Sequence, residues 1–175
     1  MSVSEGFVCH IKDYFFTKFP DIKFMQNKED GNYRPHHLCV KDDSSGLIWV
    51  VPMSTKIEKY RKLYDDKISK YGRCDTIVLG SYCGKDCAFL IQNMFPVVPK
   101  YIDHIHTVSE NPVPVHSEIH KLVHSKVQKV LTLANRGTKL TFTDISAISY
   151  SLLEELKVDF LEEAAITTED DEIEL

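Results

Sequence analysis

Short apolar runs bounded by turn residues fill much of the first half of the chain, and long three-and-four periodicities dominate the second. Residues 6–9 read as a short strand. At 11–19 the spacing of Ile11, Tyr14, Phe15 and Lys18 predicts a short aromatic helix, which Pro20 ends. The polar stretch 27–32, with Gly31, reads as a loop. Arg34-Pro35 opens a strand at 36–41, Asp42-Asp43-Ser44-Ser45-Gly46 reads as a hairpin turn, and 47–52 is the returning strand. That run is apolar and β-branched enough for the interior of a sheet.

Thr55 is the expected cap of a helix over 57–71, whose stripe is Ile57, Tyr60, Leu63, Tyr64, Ile68 and Tyr71. Strands are expected at 75–79 and 87–91 around a turn at 80–85, and Phe95-Pro96-Val97-Val98-Pro99 as an extended edge. A long helix is predicted over 117–134, with Ile119, Leu122, Val123, Val127, Val130 and Leu131 on one face and Asn135-Arg136-Gly137 as its close. A last helix, capped by Thr143 or Asp144, is expected from 145 to 156 or a little beyond. Early strands with hairpin connections and late helices predict an α+β fold: a mostly antiparallel sheet or small barrel with flanking helices, not a doubly wound one. The expected organisation is a single domain over 1–161 and an acidic, flexible tail over 162–175.

The 175 residues suffice for one sizeable core, and 43% hydrophobic with 27% charged residues is ordinary globular usage. No apolar run approaches the roughly 20 residues of a membrane helix. Residues 1–12 lack the basic start and apolar stretch of a secretory signal, so a cytoplasmic protein without a membrane partner is expected. The five cysteines are odd in number and irregularly spaced, which fits reduced thiols. Cys83 and Cys87 lack a second pair to complete a zinc site.

A net charge of −5 argues at first against a nucleic-acid partner, but the distribution changes that picture. Residues 162–175 hold seven acids and no Lys or Arg; without them 21 basic residues face 19 acidic ones. Over 54–73, Lys56, Lys59, Arg61, Lys62, Lys67, Lys70 and Arg73 stand against Glu58, Asp65 and Asp66. An anion-binding face competes there with the plain reading of a solvated helix.

There is no phosphate-binding glycine loop, no GxSxG elbow and no HExxH. His116, His120 and His124 are spaced four apart, and a polar stripe explains them better than a metal site. His104 and His106 alternate, and the expectation is a surface pair. The richest polar set lies elsewhere. Arg34, His36 and His37 start one strand, while Ser54, Thr55 and Lys56 end its hairpin partner. Gln92 and Asn93 follow a third strand. Such donors, without a carboxylate cluster, suit a phosphodiester. RNA carries its own nucleophile, the ribose 2′-hydroxyl, so cleavage there needs proton transfer and stabilisation of the phosphorane but no metal or other cofactor.

Tyr33-Arg34-Pro35, then Trp49-Val50-Val51-Pro52-Met53-Ser54-Thr55-Lys56, then Phe89-Leu90-Ile91-Gln92-Asn93-Met94-Phe95-Pro96-Val97, resemble the toxins of type III toxin–antitoxin systems, the ToxN, AbiQ and CptN group. Their order and spacing cover about half of the chain, residues 7–98. The resemblance implies a compact barrel-like sheet similar to MazF and Kid. It implies a metal-independent endoribonuclease of phage defence by abortive infection. It further implies inhibition by a repeated pseudoknot RNA, in a cyclic protein–RNA assembly. By the same resemblance Ser54, Thr55 and Lys56 are active-site residues, Tyr14 matches an early tyrosine, and Arg34 or His36 matches a basic position. The family often carries Pro between the hydroxyl pair and the Lys, which this chain lacks.

The expected products are a 2′,3′-cyclic phosphate and a 5′-hydroxyl. In that reading Lys56 and Arg34 stabilise the phosphorane, Ser54 and Thr55 orient the phosphate or 2′-hydroxyl, and His36 or His37 transfers a proton. Gln92 and Asn93 read a base edge or phosphate, while Lys59, Arg61, Lys62, Lys67, Lys70 and His37 bind RNA. Two other classes compete: a non-catalytic RNA- or protein-binding module, and an accessory protein whose acidic tail mimics nucleic acid.

Overall fold

The computed structural model describes residues 4–20, 25, 27 and 33–171, with side chains described as far as 161. The chain order is β1 (Val8–Ile11), α1 (Asp13–Lys18), β2 (His36–Asp42), β3 (Leu47–Ser54), α2 (Ile57–Tyr71), β4 (Val78–Tyr82) and β5 (Lys85–Phe89). It continues with β6 (Phe95–Val97), β7 (Ile102–Ile105), β8 (Thr107–Val108), β9 (Asn111–Pro112), α3 (Ser117–Asn135) and α4 (Ile145–Asp171). The expected loop at 27–32 lies outside the described residues except for Asn27.

The main sheet is antiparallel in the order β4-β5-β3-β2-β1-β7, with β6 also paired to β3. The α+β expectation holds, but the sheet is open. Its side chains explain why. Along β3, Trp49, Val51 and Met53 join one core with Val123, Val127 and Val130 of α3. Ile48 and Val50 face the other way, into a core with Phe15 and Phe16 of α1 and Ile148 and Leu152 of α4. Both faces are covered by helices, so the apolar run of β3 is buried throughout and no barrel interior is enclosed. A third cluster seats Tyr60 of α2 on Ala88 and Leu90.

Several boundaries differ from expectation. The β4–β5 turn is confined to Cys83 and Gly84, both at positive φ (49° and 73°), which is a two-residue hairpin turn. Gly80 instead sits inside β4, where an added Cβ would meet Ile119 Cδ1 at 3.0 Å, so the glycine lets α3 pack closely on the strand without displacing that side chain. Residues Phe95–Val97 form an extended strand paired to β3, and all three are buried. Helix α4 runs on to Asp171, well past the helix end expected near 156.

Candidate active site

The ends of β1 and β3 and the start of β2 come together at one end of the sheet. His36 pairs with Pro52 and Cys9, and the Met53 amide donates to the Pro35 carbonyl at 3.0 Å. Asn27 locks the approach to β2. Its Oδ1 accepts the Arg34 amide at 2.8 Å, while its Nδ2 donates to the Ile11 carbonyl at 2.8 Å and to Asp13 Oδ1 at 2.9 Å. Arg34 is thereby fixed at the mouth of the hairpin, half-buried, with Nη1 donating to the Met53 carbonyl at 3.4 Å. Burial lowers its pKa, and the Tyr60 phenol opposes that shift. A cavity of about 370 Å³ lined by Asp13, Phe16, Thr17 and Asn27 opens beside this lock.

Ser54 is buried at the end of β3, and Thr55 and Lys56 are exposed. The cap of α2 is Lys56, not Thr55; the Ser54 Oγ accepts the Lys56 amide at 3.3 Å. A hydroxyl two residues back makes this turn, so the Thr55 hydroxyl is not used in it. Arg34, Ser54, Thr55 and Lys56 therefore share one end of the sheet, as expected.

The two imidazoles do not converge. Successive strand residues point to opposite faces. His36 packs edge-on against Phe95 and near Phe16, with no exposed surface. His37 faces Phe89 and α3, and its Nε2 is 3.0 Å from His120 Nδ1. Burial lowers the pKa of each to about 3, so both rings are neutral at pH 7. Gln92 and Asn93 follow β5, as expected from the sequence, but in a buried 3-10 turn between the β5 and β6 pairings with β3. Tyr14 is exposed on α1, with its ring stacked near Tyr101 at 6.1 Å. Lys59, Arg61, Lys62 and Lys70 are exposed along α2 and Lys67 is half-buried. At 100° per residue Lys56, Lys59, Lys62, Lys67 and Lys70 fall on one broad arc, with Arg61 on the opposite flank.

Sequence reading missed the Asn27 lock and a histidine cluster. His10 Nε2 lies 3.0 Å from His106 Nδ1, and His10 stacks on His104 at 4.5 Å, so these are not a plain surface pair. His10 pairs with His104 across β1 and β7, a contact 94 positions apart that no local spacing announces. Burial and the neighbouring imidazoles lower the His10 pKa to about 4. Cys83 is exposed and Cys87 buried. Among the described residues no three His, Cys, Asp or Glu side chains are grouped to hold a metal ion, and no helix is long and apolar enough to cross a membrane.

AbiQ, a lactococcal anti-phage endoribonuclease of the type-III toxin–antitoxin system, superposes with a TM-score of 0.60 over 88% of this chain and 99% of its own. The chain shares the fold of AbiQ. Sequence identity is only 13%, so the agreement lies in architecture. No family model and no curated protein matches the sequence. The likeness to AbiQ nonetheless bears out, at the level of fold, the resemblance read from the short motifs.

Proposed function

We propose that this protein is an endoribonuclease toxin of a type III toxin–antitoxin system, cleaving RNA without a metal and held in check by a repeated pseudoknot RNA. The AbiQ fold, with Arg34, Ser54, Thr55 and Lys56 gathered at one end of its sheet, supports this reading most strongly. RNA lies across that end with the scissile phosphate between Arg34 and Lys56. The 2′-hydroxyl gives its proton to solvent water and attacks the phosphorus, the bond to the 5′-oxygen breaks as that oxygen takes a proton from water, and the negative charge that grows on the phosphorane is met by the two cations. Ser54 and Thr55 orient the phosphate or the 2′-hydroxyl. Tyr14 follows Asp13, which Asn27 ties to the Arg34 backbone, and it stands at the rim as a contact for RNA.

His36 takes a supporting part. Its ring has no exposed surface, and the Arg34 main chain lies against it, so it braces Arg34 instead of touching RNA. His37, on the opposite face, belongs to the packing of α3. Gln92 and Asn93 shape the floor behind β3. The lysine arc of α2 binds the antitoxin phosphates, and a cyclic protein–RNA assembly follows from a repeated RNA partner. The test is cleavage of labelled RNA by the purified protein in excess EDTA. Undiminished cleavage is expected; activity lost to chelator and restored by a divalent ion would overturn the mechanism.

A further inference from the structure

We propose that the cleft at the C-terminal ends of α2 and α3 holds one unpaired RNA base, stacked on Tyr71, with flanking phosphates on Lys67 and Arg73. The proposal rests on the RNA-cleaving reading above and adds a base-binding subsite to it.

The cleft has a volume of about 700 Å³, ample for a nucleotide. Its floor is apolar, with Leu133 and Leu140, and its rim carries Lys67, Tyr71 and Arg73. Tyr71 is a large aromatic left 62% exposed at the end of a helix. The Lys70 ammonium sits 5.0 Å from the centroid of its ring, and the exposed part of the ring offers a surface for stacking. A base has a π face whatever its identity, so such a platform accepts single strands broadly. A base inside a duplex is already stacked on its neighbours and does not offer that face.

The wall of the cleft also holds an unsatisfied polar group. Thr76 lines the cleft, is only 5% exposed, and its Oγ1 has no hydrogen-bond partner. A buried hydroxyl without a partner is costly; it lies inside the wall, so a base edge reaches it only once the neighbouring side chains give way. The Asp75 carboxylate in the same wall does not repel phosphate freely. It is held by Arg73 Nε at 3.2 Å and Lys129 Nζ at 2.8 Å, while Lys126 bonds the Cys74 carbonyl and adds a further cation.

The cleft also connects with the candidate active site. The Thr76 carbonyl accepts the Gln92 amide at 3.1 Å, so the cleft backs onto the buried turn behind β3. Along the surface, the 15 residues of α2 span about 22 Å from Lys56 to Tyr71 and carry the lysine arc between them. The subsite thus lies several nucleotides from the bond that breaks.

The experiment measures binding of short single-stranded RNA carrying 2′-O-methyl groups, which removes the nucleophile and separates binding from cleavage. Fluorescence anisotropy compares wild type, Tyr71→Ala and Tyr71→Phe. Loss of stacking should weaken Tyr71→Ala by roughly 5- to 100-fold, while Tyr71→Phe keeps the ring and stays within about twofold of wild type. A wild-type affinity kept by Tyr71→Ala, in a protein that binds and cleaves RNA, overturns the subsite alone. Equal losses in both variants overturn stacking as its basis. A wild type that neither binds the oligonucleotide nor cleaves RNA overturns the subsite together with the function it rests on.

Discussion

Lys56→Ala separates chemistry from structure more cleanly than any other substitution at the candidate site. Lys56 is the N-cap residue of α2, but its exposed side chain makes no cap hydrogen bond; its amide donates to the Ser54 hydroxyl. An exposed side chain that makes no cap bond and lies outside the cores changes stability by about 0.5 kcal/mol or less. For a domain of 175 residues that is about 1–2 °C in Tm. If the ammonium instead meets the charge that grows on the phosphorane, its loss costs ~3–4 kcal/mol of transition-state stabilisation, a rate loss on the order of 10²–10³. Ser54→Ala is the companion variant. It removes the acceptor of a 3.3 Å bond from the Lys56 amide, an ordinary hydrogen bond worth about 1 kcal/mol, or about 2–4 °C. The assay is single-turnover cleavage of a labelled RNA beside a thermal melt of each protein. Lys56→Ala with a native melt and cleavage reduced at least a hundredfold is the expected result. Full cleavage by Lys56→Ala would falsify its assignment and move the phosphorane contact to Arg34 alone.

Three further outcomes follow from the charges. Antitoxin affinity should fall steeply with salt, because binding releases counterions from each phosphate that α2 neutralises. Reversing Lys59 and Lys62, both exposed, should cost affinity while leaving the melt unchanged; a salt-independent inhibitor would contradict the RNA partner. Stability should also fall with acid. His10, His36 and His37 keep pKa values of about 4, 3 and 3 in the folded protein, so below pH 6.5 the unfolded chain binds protons that the folded one refuses. Each contributes up to about 1.4 kcal/mol of destabilisation at pH 5.5 relative to pH 7.5 or above. Urea unfolding at the two pH values measures the effect, and a flat profile would contradict the burial of the three rings.

Much of the architecture was legible because local signals agreed. The bounds of α2 were read correctly from an apolar stripe, and the structure closes that helix on Gly72 at φ +70°. The β2–β3 hairpin was legible from its turn residues, and it alone brings Arg34 to Ser54. What failed was of two kinds. Gly80 looked like a turn signal but is a packing glycine under Ile119, because a glycine's role depends on what approaches it. His36 and His37 looked like a pair, although the period of two in a strand sends them to opposite faces. Asn27 and the His10 cluster depend on contacts between distant segments, and composition carries no trace of them.

The central claim is transfer of the RNA phosphate to its own 2′-hydroxyl at the Arg34–Ser54–Lys56 end of the sheet. The ends of the cleaved RNA test it most directly. Fragments produced by the wild-type protein should carry a 5′-hydroxyl that accepts label from a polynucleotide kinase without prior phosphatase treatment, and a 2′,3′-cyclic phosphate at the other end. Fragments bearing a 5′-phosphate and a 3′-hydroxyl would show that water, not the ribose, is the nucleophile, and would contradict the account.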